Sequence, residues 1–163
     1  MAKHTLILEP DYDFVLIGIS SHAKDYRICW ALNNKLNIDL KKIDSLEIKG
    51  NKKLSTPSFF STFKFDDPGN FLEYVVLENF SEGKAPSPKE NTLFKEERGA
   101  EPSVENEYLI PEYKHLNFFF IVKGEENENR VGELVTEIKQ LEMVLTAIPI
   151  EVTTLKSKHN LIF

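Results

Sequence analysis

Five residues near the N-terminus have the types and order that nucleophilic catalysis uses: Gly18-Ile19-Ser20-Ser21-His22. They end a short apolar run, Asp13 to Ile19, and precede a helical pattern. In a nucleophile elbow the serine occupies such a strand-to-helix turn, flanked by glycines so that backbones can approach closely. Here His22 replaces the second glycine, and 163 residues is short for a hydrolase of that fold. A small serine hydrolase using Ser20 and His22 is therefore the third reading, behind a plain helix N-cap in which a serine oxygen accepts an orphan backbone N–H. Cys29 as a nucleophile is weaker still, because a thiol in apolar surroundings has a raised pKa and stays inert.

Other chemistries find less support. The histidines, His4, His22, His115 and His159, are never closer than eighteen residues in sequence, and the one cysteine lies on an apolar helical stripe. That spacing supports no metal site. The seven glycines form neither a phosphate-cradling loop nor a dinucleotide fingerprint, so no cofactor is expected. With 20 Lys/Arg against 26 Asp/Glu the chain has a net charge of −6, which weakens non-specific attraction to phosphate. Residues 35–53 run against that balance, with six lysines and three acids. Lys41, Lys42, Lys49, Lys52 and Lys53 there keep an RNA or ribonucleoprotein contact as the second reading. The aromatic, basic, glycine-containing strand of an RNA-stacking platform is not present in Leu116 to Val122.

One polar group remains: Lys24, Asp25, Tyr26, Arg27 and Trp30, in the first helix just after a strand. Strand ends that lead into helices are common ligand sites, while the plainer account is the charged side of an amphipathic helix. A non-enzymatic protein-binding module that uses this surface is the first reading.

These residues need elements to position them. Asp13 to Ile19 is apolar on both faces, as an interior strand is. From Ala23 to Leu36, the residues Ile28, Cys29, Leu32 and Leu36 make one helical face. Ile43 to Ile48 suggests a short strand. Ser58 to Phe65 and Phe71 to Phe80 flank the turn-forming Asp66-Asp67-Pro68-Gly69-Asn70 and read as a hairpin, with Phe59, Ser61, Phe63 and Phe65 on one face. Leu116 to Val122 reads as a central strand, Gly124 to Asn129 as a polar loop. Val131, Leu134, Val135, Ile138 and Leu141 then mark an amphipathic helix. Glu142 to Ile148 reads as a strand closed by Pro149, and the apolar ending Leu161-Ile162-Phe163 as a tail that packs back. The order is α+β, with two helices on one face of a mostly antiparallel sheet. A ferredoxin-like arrangement is one candidate, although the element count does not match it cleanly.

Residues 81–107 differ in kind. Three prolines, two glycines, seven Glu and four Lys/Arg leave few apolar side chains to offset ordering entropy. The expectation is one domain, 1–163, with a flexible acidic insertion at 81–107. Five residues, Phe118 to Val122, form the longest apolar run mid-chain, far short of a membrane span. Early acids at Glu9 and Asp11 do not suit a signal peptide, so the cytoplasm is expected, with no membrane partner.

Ile110-Pro111-Glu112, three residues, then Leu116-Asn117-Phe118 resembles the IPExxxVDY family, small bacterial proteins associated with the Bacteroidota. Asp13-Phe14 with Leu16-Ile17-Gly18-Ile19, Lys24-Asp25-Tyr26-Arg27 with Trp30-Ala31-Leu32-Asn33, and Leu155-Lys156-Ser157-Lys158 with Asn160-Leu161-Ile162-Phe163 are similar to it too. The resemblance implies a family and no activity. Asn117 and Phe118 stand where the motif has Asp and Tyr, which removes a carboxylate and a hydroxyl together. That implies structural roles on a buried strand for those positions.

Overall fold

A computed structural model describes residues 12–49, 57–81, 107–124 and 130–163. Expected features at Lys52, Lys53, the interior of the 81–107 insertion and most of the Gly124–Asn129 loop lie outside the described residues.

Strand β1 (Phe14–Ser21) leads into helix α1 (Asp25–Leu36). Short strands β2 (Lys41–Lys42) and β3 (Leu46–Ile48) follow, then β4 (Ser58–Phe60), β5 (Thr62–Asp67) and β6 (Leu72–Glu78). After β7 (Phe80–Ser81) and β8 (Glu107–Tyr108) come β9 (Phe118–Lys123), α2 (Val131–Lys139) and β10 (Val144–Ile150). The main sheet has the order β10-β1-β9-β6-β5-β2, and every neighbouring pair is antiparallel. Within it, β10-β1-β9-β6 with α1 following β1 and α2 joining β9 to β10 is the ferredoxin-like arrangement. Strands β5 and β2 extend it at one edge. The fold is α+β.

Alternation along the strands explains why they are apolar on both faces. Val15, Ile17 and Ile19 of β1, with Phe118, Phe120 and Val122 of β9, meet Ile28, Cys29 and Leu32 of α1 and Leu134, Val135 and Ile138 of α2. Leu16, Val75, Leu77, Phe119 and Ile121 point the other way. That second face is covered by irregular chain: Leu109, Ile110 and Leu116 before β9, and Val152, Leu155 and Leu161 of the tail. Both helices lie on one face, and short 3-10 turns and loops roof the other.

Several boundaries differ from expectation. Neither Ser20 nor Ser21 caps α1: Lys24 holds that position without a side-chain bond, because β1 runs on to Ser21 through a bulge. Ser21 Oγ instead donates to Met143 O at 2.6 Å and accepts from the Ala23 N–H at 3.0 Å. The 43–48 strand is shorter, since Ile43 and Asp44 fall between β2 and β3. The first hairpin strand breaks at Ser61, where the chain passes from pairing with β3 to pairing with β6. Phe63 and Phe65 pack under the helices, but Phe59, expected on the same face, is exposed. Pro149 lies inside β10 and pairs with Ile17 rather than ending the strand; an edge strand tolerates a missing donor on its solvent side. In the tail Leu161 is buried, while Ile162 and Phe163 are half-exposed. No helix among the described residues is long and apolar enough to cross a membrane.

Candidate functional site

Helix α1 carries the site. Its buried stripe is Ile28, Cys29, Ala31 and Leu32, which leaves Tyr26 and Trp30, one turn apart, on the solvent side. Trp30 is 67% exposed and Tyr26 62%, large fractions for aromatic side chains on a helix whose other face is core. Lys24 and Arg27 are exposed beside them, and no acid lies within ion-pair distance of either among the described residues. Lys35, two turns on, donates to Gln140 Oε1 at 2.7 Å, a neutral acceptor that leaves its charge unanswered.

Asp25 is set apart from this surface. Its Oδ2 accepts from Ser61 Oγ at 2.7 Å and from Lys42 Nζ at 3.2 Å, and its Oδ1 from the Tyr26 N–H at 2.7 Å. Burial opposes its ionisation, but the hydrogen bonds from Ser61, Tyr26 and Lys42 together hold its carboxyl below the usual range. Asp25 is therefore a tie between α1, β2 and the β4–β5 junction, and the exposed residues of α1 keep a positive balance.

Beside Trp30 a groove of about 360 Å³ opens between α1 and the turn after α2. Ala31, Leu141 and Met143 give it an apolar floor, and Asn34, Lys35 and Gln140 a polar rim. That volume is at the small end of ligand pockets, which run from about 300 to 1,000 Å³. It has room for one or two side chains.

No hydrogen bond joins Ser20 to His22 among the described residues. Ser20 Oγ reaches Asn117 Oδ1 at 3.4 Å, and Asn117 is itself exposed, just ahead of β9 rather than within it. Ser20 lacks the left-handed backbone of a strained turn, which among the described non-glycine residues occurs only at Asn37 and Phe71. Gly18 serves packing: a Cβ there would collide with the side chains of Leu116 and Ile150 on the second face. Cys29 is buried, and burial together with the Asp25 charge pushes its thiol up to about 12. No cluster of three metal-ligating side chains occurs among the described residues.

Within the basic segment, Lys41 and Lys42 form β2 and each has an acidic partner. Lys41 pairs with Asp39 at 2.8 Å; Lys42 pairs with Asp25 and lies 5.5 Å from the centre of the Phe63 ring. Lys49 is exposed.

A buried polar centre that sequence reasoning missed is Asn79. It is fully buried, its Nδ2 donates to Tyr113 O and Leu116 O at 2.9 Å each, and its Oδ1 accepts from the Ile110 N–H at 2.8 Å. Asn160 Nδ2 donates to Leu109 O, and the Ser157 N–H donates to Glu112 Oε1, both at 2.8 Å. Ile110-Pro111-Glu112 and the C-terminal tail are thereby stitched to each other and to the sheet. Asn117 Oδ1 accepts from the Ser21 N–H at 2.8 Å, a bond that an aspartate oxygen would make equally well. The sequence around it, Leu77-Glu78-Asn79-Phe80, has no period or motif that marks Asn79.

The class these features define is a ferredoxin-like α+β domain with an aromatic, cationic helix surface. Comparison with known protein families, curated proteins and solved structures finds no match.

Proposed function

We propose that this chain is a small cytoplasmic, non-enzymatic protein-binding or adaptor module, and that its partner docks on the solvent face of α1. The observation that carries the reading is the pairing of exposed Trp30 and Tyr26 with Lys24 and Arg27, which no acid answers among the described residues. Tryptophan, tyrosine and arginine are the residue types that most often supply binding energy at protein interfaces. The bond of Ser20 to Asn117 and the burial of Cys29 in the core support a non-enzymatic module. Kinship with the IPExxxVDY proteins belongs to the same proposal, with Ile110-Pro111-Glu112 and the tail as a bracing layer. The test is capture of partners by tagged protein in its own host, with and without ribonuclease, beside an Arg27→Ala/Trp30→Ala double variant. We expect a protein partner that survives ribonuclease and is lost from the double variant. Partners that vanish with ribonuclease, or that the folded double variant retains, would refute the α1 surface.

A further inference from the structure

We infer that the groove beside Trp30 receives the β5–β6 hairpin tip of a second copy of this chain, so that copies associate head to tail. The inference rests on the reading of the α1 face as a docking surface.

The hairpin tip is the complement of that face. Phe71 is 87% exposed and adopts a left-handed backbone conformation, with φ of 54°. A bulky side chain in that region is strained and persists only where its surroundings impose it. Asp67 helps impose it: its Oδ1 accepts the Gly69 and Asn70 N–H groups at 3.1 and 3.3 Å, and its Oδ2 accepts from Asn70 Nδ2 at 2.7 Å. Those bonds fix the backbone of the turn that carries the exposed ring, so the backbone loses little freedom on docking.

Charge adds direction. Asp66 and Asp67 precede the ring; Lys64 is shared by Asp66 and Glu73, Lys123 also pairs with Glu73, and no cation stands within ion-pair distance of Asp67 among the described residues, which leaves the tip one negative charge in excess. On the receiving side Lys35 and Glu142 both line the groove, and the exposed Lys24 and Arg27 add positive charge on α1 ahead of it. An acidic turn ending in an exposed phenylalanine fits that surface in both charge and size.

One copy cannot make this contact with itself. Phe14, Lys123 and Glu73 align at the tip end of the sheet, whereas Met143 is bonded to Ser21 at the far end. Strands rise about 3.3 Å per residue, which separates the two ends by roughly 20 Å. Two different surfaces meeting between copies make a heterologous contact, which repeats into open chains or rings.

The test is sedimentation of the full chain from micromolar to millimolar concentration in low salt. We expect the average mass to climb past the dimer, and to fall toward the monomer at physiological salt, where screening shortens from about 30 Å to about 8 Å. Trp30→Ala and Phe71→Asn should each weaken association at least tenfold; asparagine tolerates the left-handed backbone and so spares the turn. Mixed in equal amounts, the two variants should form a dimer and stop, since together they keep one intact groove and one intact tip. A wild type that stays monomeric throughout, a variant that associates undiminished, or a mixture that does not pair overturns the inference. If the wild type is monomeric while Trp30→Ala still loses its cellular partner, self-association is wrong and the α1 reading stands.

Discussion

Asn79 is the residue on which most of the second layer depends. It sits without solvent contact and serves three backbone groups through its side chain: the Ile110 N–H and the Tyr113 and Leu116 carbonyls. Substitution by alanine strands the Ile110 N–H and the Leu116 carbonyl, while the Tyr113 carbonyl keeps its bond from the Leu116 N–H, and each unsatisfied buried group costs about 1–3 kcal/mol. We therefore expect Asn79→Ala to lower the unfolding free energy by roughly 3 kcal/mol or more, read from urea midpoints. Asn79→Asp should fare no better, because a second acceptor would then face two carbonyl oxygens. Cys29 makes the opposite point: with its thiol buried and pushed up to about 12, it should resist alkylation at pH 8 in the folded protein and react at once in denaturant. Rapid labelling of the native protein would contradict its placement in the core.

Among the elements, α1 is fixed at both ends by different means. At its C-terminal end Asn37 takes the left-handed conformation, and the Asn33 side chain bonds both the N–H and the carbonyl of Leu40, at 2.8 and 3.2 Å. At its N-terminal end Asp25 ties it to Ser61 and Lys42. Because the Asp25 carboxyl is held below its ordinary value of 3.8, folding favours the ionised form. That stabilisation is present above the ordinary value and is lost as pH falls through the lower folded one. Asp25→Asn should therefore be less stable than wild type at pH 7, with the gap closing below about pH 4. An unchanged gap in acid unfolding curves would show that the carboxylate contributes through shape alone. The tail is a second element with a measurable share. Leu155 and Leu161 are buried against the second face, at about 2 kcal/mol for each such side chain. A chain ending at Thr154 should be several kcal/mol less stable by urea midpoint and should bind a hydrophobic dye that the full chain excludes.

At the scale of the molecule, β1 sits between β9 and β10, so the start of the chain is held between strands from its last third. Phe80 pairs with Tyr108 and Ser81 with Glu107, a two-stranded ladder between residues far apart in sequence. The sheet cannot be completed until β10 arrives, because β1 would otherwise present an apolar, unpaired edge. A fragment 1–129 should therefore lack a cooperative urea transition, and adding the peptide 130–163 should restore one. A cooperative transition in the fragment alone would place the stability in β1-β9-β6-β5 without the closing strand.

Local patterning in the sequence was enough to determine the helices, the central strands and the α+β class. Ile28, Cys29 and Leu32, like Leu134, Val135 and Ile138, recur at the helical period, and the run Phe118 to Val122 is apolar at every position because both of its faces are covered. Pattern also separated the exposed residues of α1 from its buried stripe. It could not reach whatever depends on partners distant in sequence. Ser21 looked like a helix cap and ends a bulged strand instead, because Met143, 122 residues away, accepts its hydroxyl. Pro149 looked like a terminator and pairs within β10, because the strand is at an edge. The second layer has no period to read, since irregular backbone is held by side-chain bonds such as those of Asn79 rather than by a repeating ladder. The groove beside Trp30 exists only because the turn after α2 folds against α1, a juxtaposition of residues more than a hundred positions apart that tertiary packing alone decides.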